Sequence, residues 1–256
     1  MARFSLRRDP FRLLFSPAPW ASAWFLLAYL FTGTVLFAVT LTAVLTAGLL
    51  SVTLAGLPLL VVAAAVVHGC ATAERWRLQD VSAEPVSGGY RPVTRPGLLA
   101  RLTTQWKDPA TWRDLVYLVA LFAPLLALDT TVLCLWLVLL AGITLPAWYH
   151  YPNQTLAIGV SSRHPGSAHG VQLGYFPYGP HGHGAWGLYV DTLPKAIITA
   201  AACLVLFLLF NYVVIAAARL HAAIARALLG AQEDPLREAK EVLLRPGPLS
   251  GAPHQI

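Results

Sequence analysis

Between Trp20 and Val67 the chain has no Asp, Glu, Lys, Arg or His. As a helix this stretch would run roughly 70 Å, enough for two crossings of a hydrocarbon core about 30 Å thick. No helix of a soluble globular domain needs that length. Charge is scarce elsewhere too: 12% of residues are charged and 57% are hydrophobic, whereas about a quarter of a soluble domain is charged. Cysteine is almost missing. Cys70, Cys134 and Cys203 lie in or beside apolar runs with no CxxC spacing, which excludes a disulfide framework and a thiolate metal site and leaves small apolar packing residues. GxSxG, HExxH and Walker patterns are absent. An enzyme therefore has no support, and no catalytic residue is assigned.

What remains is an integral membrane protein. Arg3, Arg7, Arg8 and Arg12 precede the first apolar run as they would in a signal peptide. That run, however, is several times longer than the 7 to 15 residues of a signal h-region, so it reads as a retained span. All Lys and Arg but Arg163 and Lys195 fall in residues 1–20, in 73–113 or beyond 218. The positive-inside rule then places both termini and the 73–113 connection in the cytoplasm, and 146–193 outside a cell membrane. A net charge of +6 sorted in this way serves topology and attraction to the inner leaflet, and nucleic acid is not an expected partner.

In chain order the expectation is a cytoplasmic basic arm over 1–19, a membrane domain over 20–230 and a cytoplasmic tail over 231–256. The fold class is all-α, with four transmembrane helices at about 22–46, 52–72, 114–143 and 193–217. A tight turn near 48–56 joins the first two. Leu98, Leu99, Leu102 and Trp106 recur at helical spacing, predicting a short amphipathic helix on the inner surface. Asp108-Pro109 reads as N-cap and first helical residue of the next helix, which Pro124 should kink. The 146–193 segment shows no sustained period, and Gly and Pro punctuate it throughout. It is expected to be a long irregular cap, kept compact by its eight aromatics. Offsetting the chain by 88 residues superposes Trp24 on Trp112, Tyr29 on Tyr117 and Leu57-Pro58 on Leu145-Pro146. The four spans are thus expected as two hairpins in a parallel repeat.

Candidate functional residues fall in two groups. In the outer segment, His169, His181 and His183 with Tyr175, Tyr178, Trp186 and Asp191 form a candidate ligand-sensing set. The three histidines are weak candidate ligands for Zn²⁺ or Cu²⁺, or proton acceptors near pH 6.5; a Gly-rich loop that merely contains His is the plainer reading, and no cofactor is required. Inside the membrane, Asp129 lies near the bilayer midplane, with His68 and Asn211 at comparable depth towards the inner side. Asp129 is either functional or a polar tie between helices, and for His68 and Asn211 the tie is the stronger reading.

Several stretches carry a resemblance. They are Gly56-Leu57-Pro58-Leu59, the run Asp108-Pro109-Ala110-Thr111-Trp112-Arg113-Asp114, Leu145-Pro146-Ala147-Trp148-Tyr149, Val190-Asp191-Thr192-Leu193-Pro194 and the 220–230 helix end. With these the chain resembles the bacterial Putative sensor domain family, four-span modules usually found ahead of histidine kinases in two-component systems. The resemblance implies signal transduction: a signal perceived outside or within the membrane and passed inward. The 26 residues after Gly230 hold no dimerisation helix with an acceptor His and no Gly-rich ATP-binding segment. The expected role is therefore a sensory module that relays to a separate partner, such as a histidine kinase, with the bilayer as its other partner and a homodimer as a further candidate assembly. The alternative class is a small transporter or channel subunit with Asp129 in its pathway.

Overall fold

In the computed structural model four helices are long and apolar enough to cross a membrane: α1 (Ala18–Leu50), α2 (Gly56–Gln79), α5 (Phe122–Ile143) and α7 (Leu193–Leu229). The structure describes residues 17–53, 56–79, 86, 88–90, 97–150, 155–156, 171–175, 183 and 186–231. The expected basic arm before Pro17, the tail after Ala231 and most of the 80–96 connection lie outside the described residues. The all-α class with four candidate spans is what the chain adopts.

Local chemistry explains the helices. Pro19 and Pro58 stand in the first turns of α1 and α2, where a missing N–H breaks no helical bond. Hydroxyls inside α1 bond back one turn, Ser22 to the Ala18 carbonyl at 2.8 Å and Thr34 to Leu30 at 2.6 Å, so a polar group in an apolar helix still finds an acceptor. Asp108 caps α4 (Pro109–Leu115), its side chain accepting from the Ala110 amide at 3.0 Å, with Pro109 opening the helix. The kink expected at Pro124 takes a different form. Proline cannot donate to the Ala120 carbonyl and its ring crowds that oxygen. The chain responds with a turn of π-helix over Val116–Ala120 and a break at Leu121 before α5 resumes.

Two further expectations change. The 98–113 stretch does not lie at the carboxyl end of the second span. Its helix α3 (Leu98–Trp106) packs on α2, and the following residues climb along α2 in the same direction. Trp106 donates to the Leu60 carbonyl, Thr111 meets His68, Asp114 meets Arg75 and Tyr117 meets Glu74. Half-buried Trp106 carries an N–H that needs an acceptor, and the α2 backbone supplies one. Nor is the 146–193 segment wholly irregular. After the short α6 (Leu145–Trp148), β1 (Thr155–Leu156) pairs parallel to β2 (Val171–Tyr175), which pairs antiparallel to β3 (Trp186–Val190). Strands of two to five residues are too short to print a period of two on the sequence. Buried Leu145, Val171, Val190 and Ala196, with Trp148 and Tyr149 against them, form the core beneath this sheet.

Packing divides the chain into two compact units, Met1–Val35 with Leu121–Ala222, and Leu36–Ala120 with Ala223–Ile256. In the first, Trp20 meets Trp136 and Tyr29 meets His221, which bonds Asp129. The start of α1 therefore runs against α5 and along α7. Since α1 and the helix from Pro109 onward are the equivalent members of the proposed duplication, their antiparallel meeting departs from the parallel sense read in the sequence. The duplication itself finds an echo. Ala64, Val67, Cys70, Ala71, Glu74, Arg75 and Leu78 are buried on α2; Asn211, Val214, Ala217, Ala218, His221, Ala222 and Ala225 are buried on α7 in the same spacing. Tyr117 bonds Glu74 where Tyr29 packs on His221, so each repeat tyrosine meets the matching position of the other copy's second helix.

The turn between α1 and α2 depends on one glycine. A Cβ on Gly56 would stand 2.1 Å from the Leu50 carbonyl oxygen, whereas one on Gly48 would meet nothing within 4 Å. Gly56→Ala should therefore cost about 1–3 kcal/mol as an overpacked site. Gly48→Ala should be neutral or gain up to about 1 kcal/mol from helix propensity. Apparent Tm in detergent checks both, and equal effects would contradict the close approach.

Candidate functional site

Each unit buries polar groups whose partners come from different elements. In the second unit Arg75 is the hub. Its Nε donates to the Leu229 carbonyl at 2.8 Å, its Nη2 to Asp114 Oδ1 at 2.9 Å, and its guanidinium lies 5.1 Å from the Tyr90 ring centre. Tyr90 donates its hydroxyl to Asp114 Oδ2 at 2.5 Å and stacks its ring on His68, 4.0 Å between centres. His68 in turn shares a 2.8 Å hydrogen bond with Thr111. Both oxygens of Asp114 are thus occupied, one by a cation and one by a neutral donor. Burial pushes the Asp114 carboxyl above the ordinary carboxylate range, and the Tyr90 and Arg75 contacts draw it back. Burial and the neighbouring Asp114 hold the Tyr90 phenol far above its usual value, so it remains a donor throughout the physiological range.

One residue away on α2, fully buried Glu74 accepts from Tyr117 at 2.8 Å and from Arg77 Nε at 3.0 and 3.1 Å, with a further contact from Arg77 Nη2. Leaving such a carboxylate unpaired would cost several kcal/mol. Arg77 and Tyr117 supply its compensation.

The first unit buries Asp129 against His221, Oδ2 to Nδ1 at 2.8 Å, with neither side chain exposed. Tyr29 and Phe25 wall the imidazole edge-on, at 4.3 and 5.5 Å between centres. Asp129 Oδ1 has no hydrogen-bond partner among the described residues. Asp129 thus has one oxygen on an imidazole and the other open to a further donor, whereas Asp114, with both oxygens bonded, is a tie. Further along the same two helices, Trp136 donates to Asn211 Oδ1 at 3.0 Å and packs on Trp20 and Phe207.

Of the intramembrane residues singled out in the sequence, Asp129, His68 and Asn211 all make polar contacts between helices, each inside its own unit. Among the outer candidates, β2 and β3 place Tyr175 directly opposite Trp186, and Trp186 is 79% exposed. Asp191 forms a 2.6 Å ion pair with Lys195, and His183 is exposed. His169, Tyr178 and His181 lie outside the described residues. Among the described residues no group of three His, Cys, Asp or Glu has the arrangement of a metal site. Sequence reasoning did not single out Glu74, Arg75, Tyr90, Asp114, Tyr117 or His221. A usable signal existed: His68, Ala71, Arg75 and Leu78 share one helical face, so the charges continue an otherwise apolar stripe.

Four apolar helices carrying buried polar contacts between them define a multi-pass membrane protein. The family model described as Putative sensor matches residues 25–229, most of the chain, and the chain belongs to that family, whose description is that of a sensor. Comparison with curated proteins and with solved structures returns no match.

The Asp129–His221 pair yields an asymmetric expectation. His221→Leu should cost about 3–5 kcal/mol by leaving a buried carboxyl unpaired. The double variant Asp129→Leu/His221→Leu should recover most of that loss, because removing both partners can be near neutral. Apparent Tm of the two proteins tests this, and a double variant no more stable than the single one would contradict it.

Proposed function

We propose that this chain perceives a signal from the outer face or the interior of the membrane and relays it to a separate partner, with no catalytic activity of its own. The observation that carries this reading is Arg75. It ties the last turn of α7 to α2, to the end of α4 and to the Tyr90 segment, so a displacement of α7 loads three bonds at once. A device that must convert helix movement into a change at one place needs such a shared tie, and the signal must bind two states of it unequally. Membership of a sensory family supports the same reading. Arg219 and Arg226 near the end of α7, against Lys195 alone at its start, support placing that end in the cytoplasm and 146–193 outside. The meeting of Trp20 with Trp136, which sets the start of α1 beside the end of α5, then departs from the expectation that both termini are cytoplasmic. A separate histidine kinase of a bacterial two-component system is the partner we propose, read by contact with the α7 end. Protons, Zn²⁺ or Cu²⁺ acting on His169, His181 and His183 are the signals we propose to try first.

A second reading, a small transporter or channel subunit, is favoured by the unsatisfied Oδ1 of Asp129 beside His221, since intramembrane carboxylate–imidazole pairs suit proton relays. One experiment separates the two. A fluorophore at Ala231→Cys in nanodiscs should respond to Zn²⁺, Cu²⁺ or a shift between about pH 8 and pH 5, where imidazoles titrate. The response should vanish in His181→Ala/His183→Ala and in Arg75→Gln, and survive in Asp129→Asn. Silence of the wild type under every condition would sink the relay reading. Proton flux into liposomes that Asp129→Asn abolishes would establish the second.

A further inference from the structure

Between the second half of α1 and the first half of α2 lies a cleft of about 500 Å³ lined from residues 38–47 and 59–66. Its floor is made of small side chains: Ala47 and Ala63 are 1% exposed, and Ala43 is half-buried above them. Val39 and Val62 stand at the rim, 46% and 55% exposed. No residue of the lining is charged, and only Thr42 and Thr46 are polar. Beyond the cleft's end, at the turn, the two helices are pinned by the approach of Gly56 to the Leu50 carbonyl. The cleft is thus a wedge, closed at its apex by backbone and open along its rim.

We propose that this wedge binds one acyl chain of a membrane phospholipid. Both walls belong to helices that are candidate spans, so the medium at the exposed rim is hydrocarbon. The cleft is open along its rim, so a chain can lie in it from the side without being enclosed. At 1.5 Å per residue the lining extends about 10–14 Å along the helices, room for a run of methylenes and too short for a whole lipid. A transmembrane helix from a second copy is about 10–12 Å across and would have to part α1 from α2 against the Gly56 contact; a methylene chain need not. Small floor residues give the chain depth, and the Val rim gives it dispersion contacts along its length. The inference goes beyond the relay reading, because it concerns occupancy of the cleft and holds whether or not the occupant carries a signal.

The test uses the wild-type protein in nanodiscs containing a phosphatidylglycerol with a photoactivatable diazirine in mid-chain. After irradiation, adducts should be several-fold denser per residue on 38–47 and 59–66 than on 204–209, an apolar and more exposed stretch of α7. Ala43→Phe, which fills the wedge, should remove that excess; Val62→Phe, at the rim, should reduce it and guards against a variant that fails to fold. An even spread of adducts over all exposed faces would overturn the proposal. So would rapid disulfide dimerisation of a Thr42→Cys variant with no local excess of adducts, which would place a second copy in the cleft.

Discussion

A guanidinium carried on an apolar helix has few stable places to go, and where Arg75 goes arranges one end of this molecule. It presents five donors in a fixed fork and is buried to 4% exposure. The fork collects a helix-ending carbonyl from Leu229, a carboxylate oxygen from Asp114 and the face of Tyr90. The Leu229 contact has a second cause. The last carbonyls of any helix lack intrahelical donors and carry partial negative charge, so the end of a 37-residue helix is a natural seat for a cation. Tyr90 then takes the remaining Asp114 oxygen, and His68 takes the face of Tyr90. Each contact answers a need left by the one before.

The same rule governs the rest of the membrane portion. Among lipid tails there is little hydrophobic drive for one apolar helix to choose another, so small residues and polar pairs settle which helices meet. Glu74 with Tyr117, Asp129 with His221 and Asn211 with Trp136 each join different helices. Small residues do the remainder: Gly142 lies so close to Cys203 that a Cβ there would stand 2.4 Å from its sulfur. The echo between Tyr29 on His221 and Tyr117 on Glu74 shows one packing solution used twice, with a different polar residue in each copy.

The sequence disclosed the elements whose causes are local. The charge-free run from Trp20, the Asp108 cap and the Gly230 stop each depend on neighbours within a few residues, and the helices form where those signals stand. Asp129 was legible as well, because a carboxyl in the middle of an apolar span is conspicuous by itself. His221 was not, since it sits among Arg219 and Arg226 and reads as part of a charged helix end; only the fold brings it to Asp129. Arg75 and Glu74 hid in the same way, at the place where a span normally becomes polar. The return of 98–120 along α2 is set by contacts between residues some 40 apart, such as Trp106 with Leu60, and periodicity carries no trace of them. Tyr175 and Trp186 were singled out as aromatics, but their pairing across β2 and β3 required a register that five-residue strands do not reveal.

The central claim is that Arg75 holds the carboxyl end of α7, and amide hydrogen exchange tests it most directly. In Arg75→Met/Asp114→Leu both charges leave together, so no buried ion is stranded and the fold should persist. The account predicts faster exchange confined to the amides of 226–230, with protection across 211–221 unchanged, because the last turn would lose the bond that Arg75 gives the Leu229 carbonyl. Unchanged protection at 226–230 would contradict the claim and leave the end of α7 fixed by something other than Arg75.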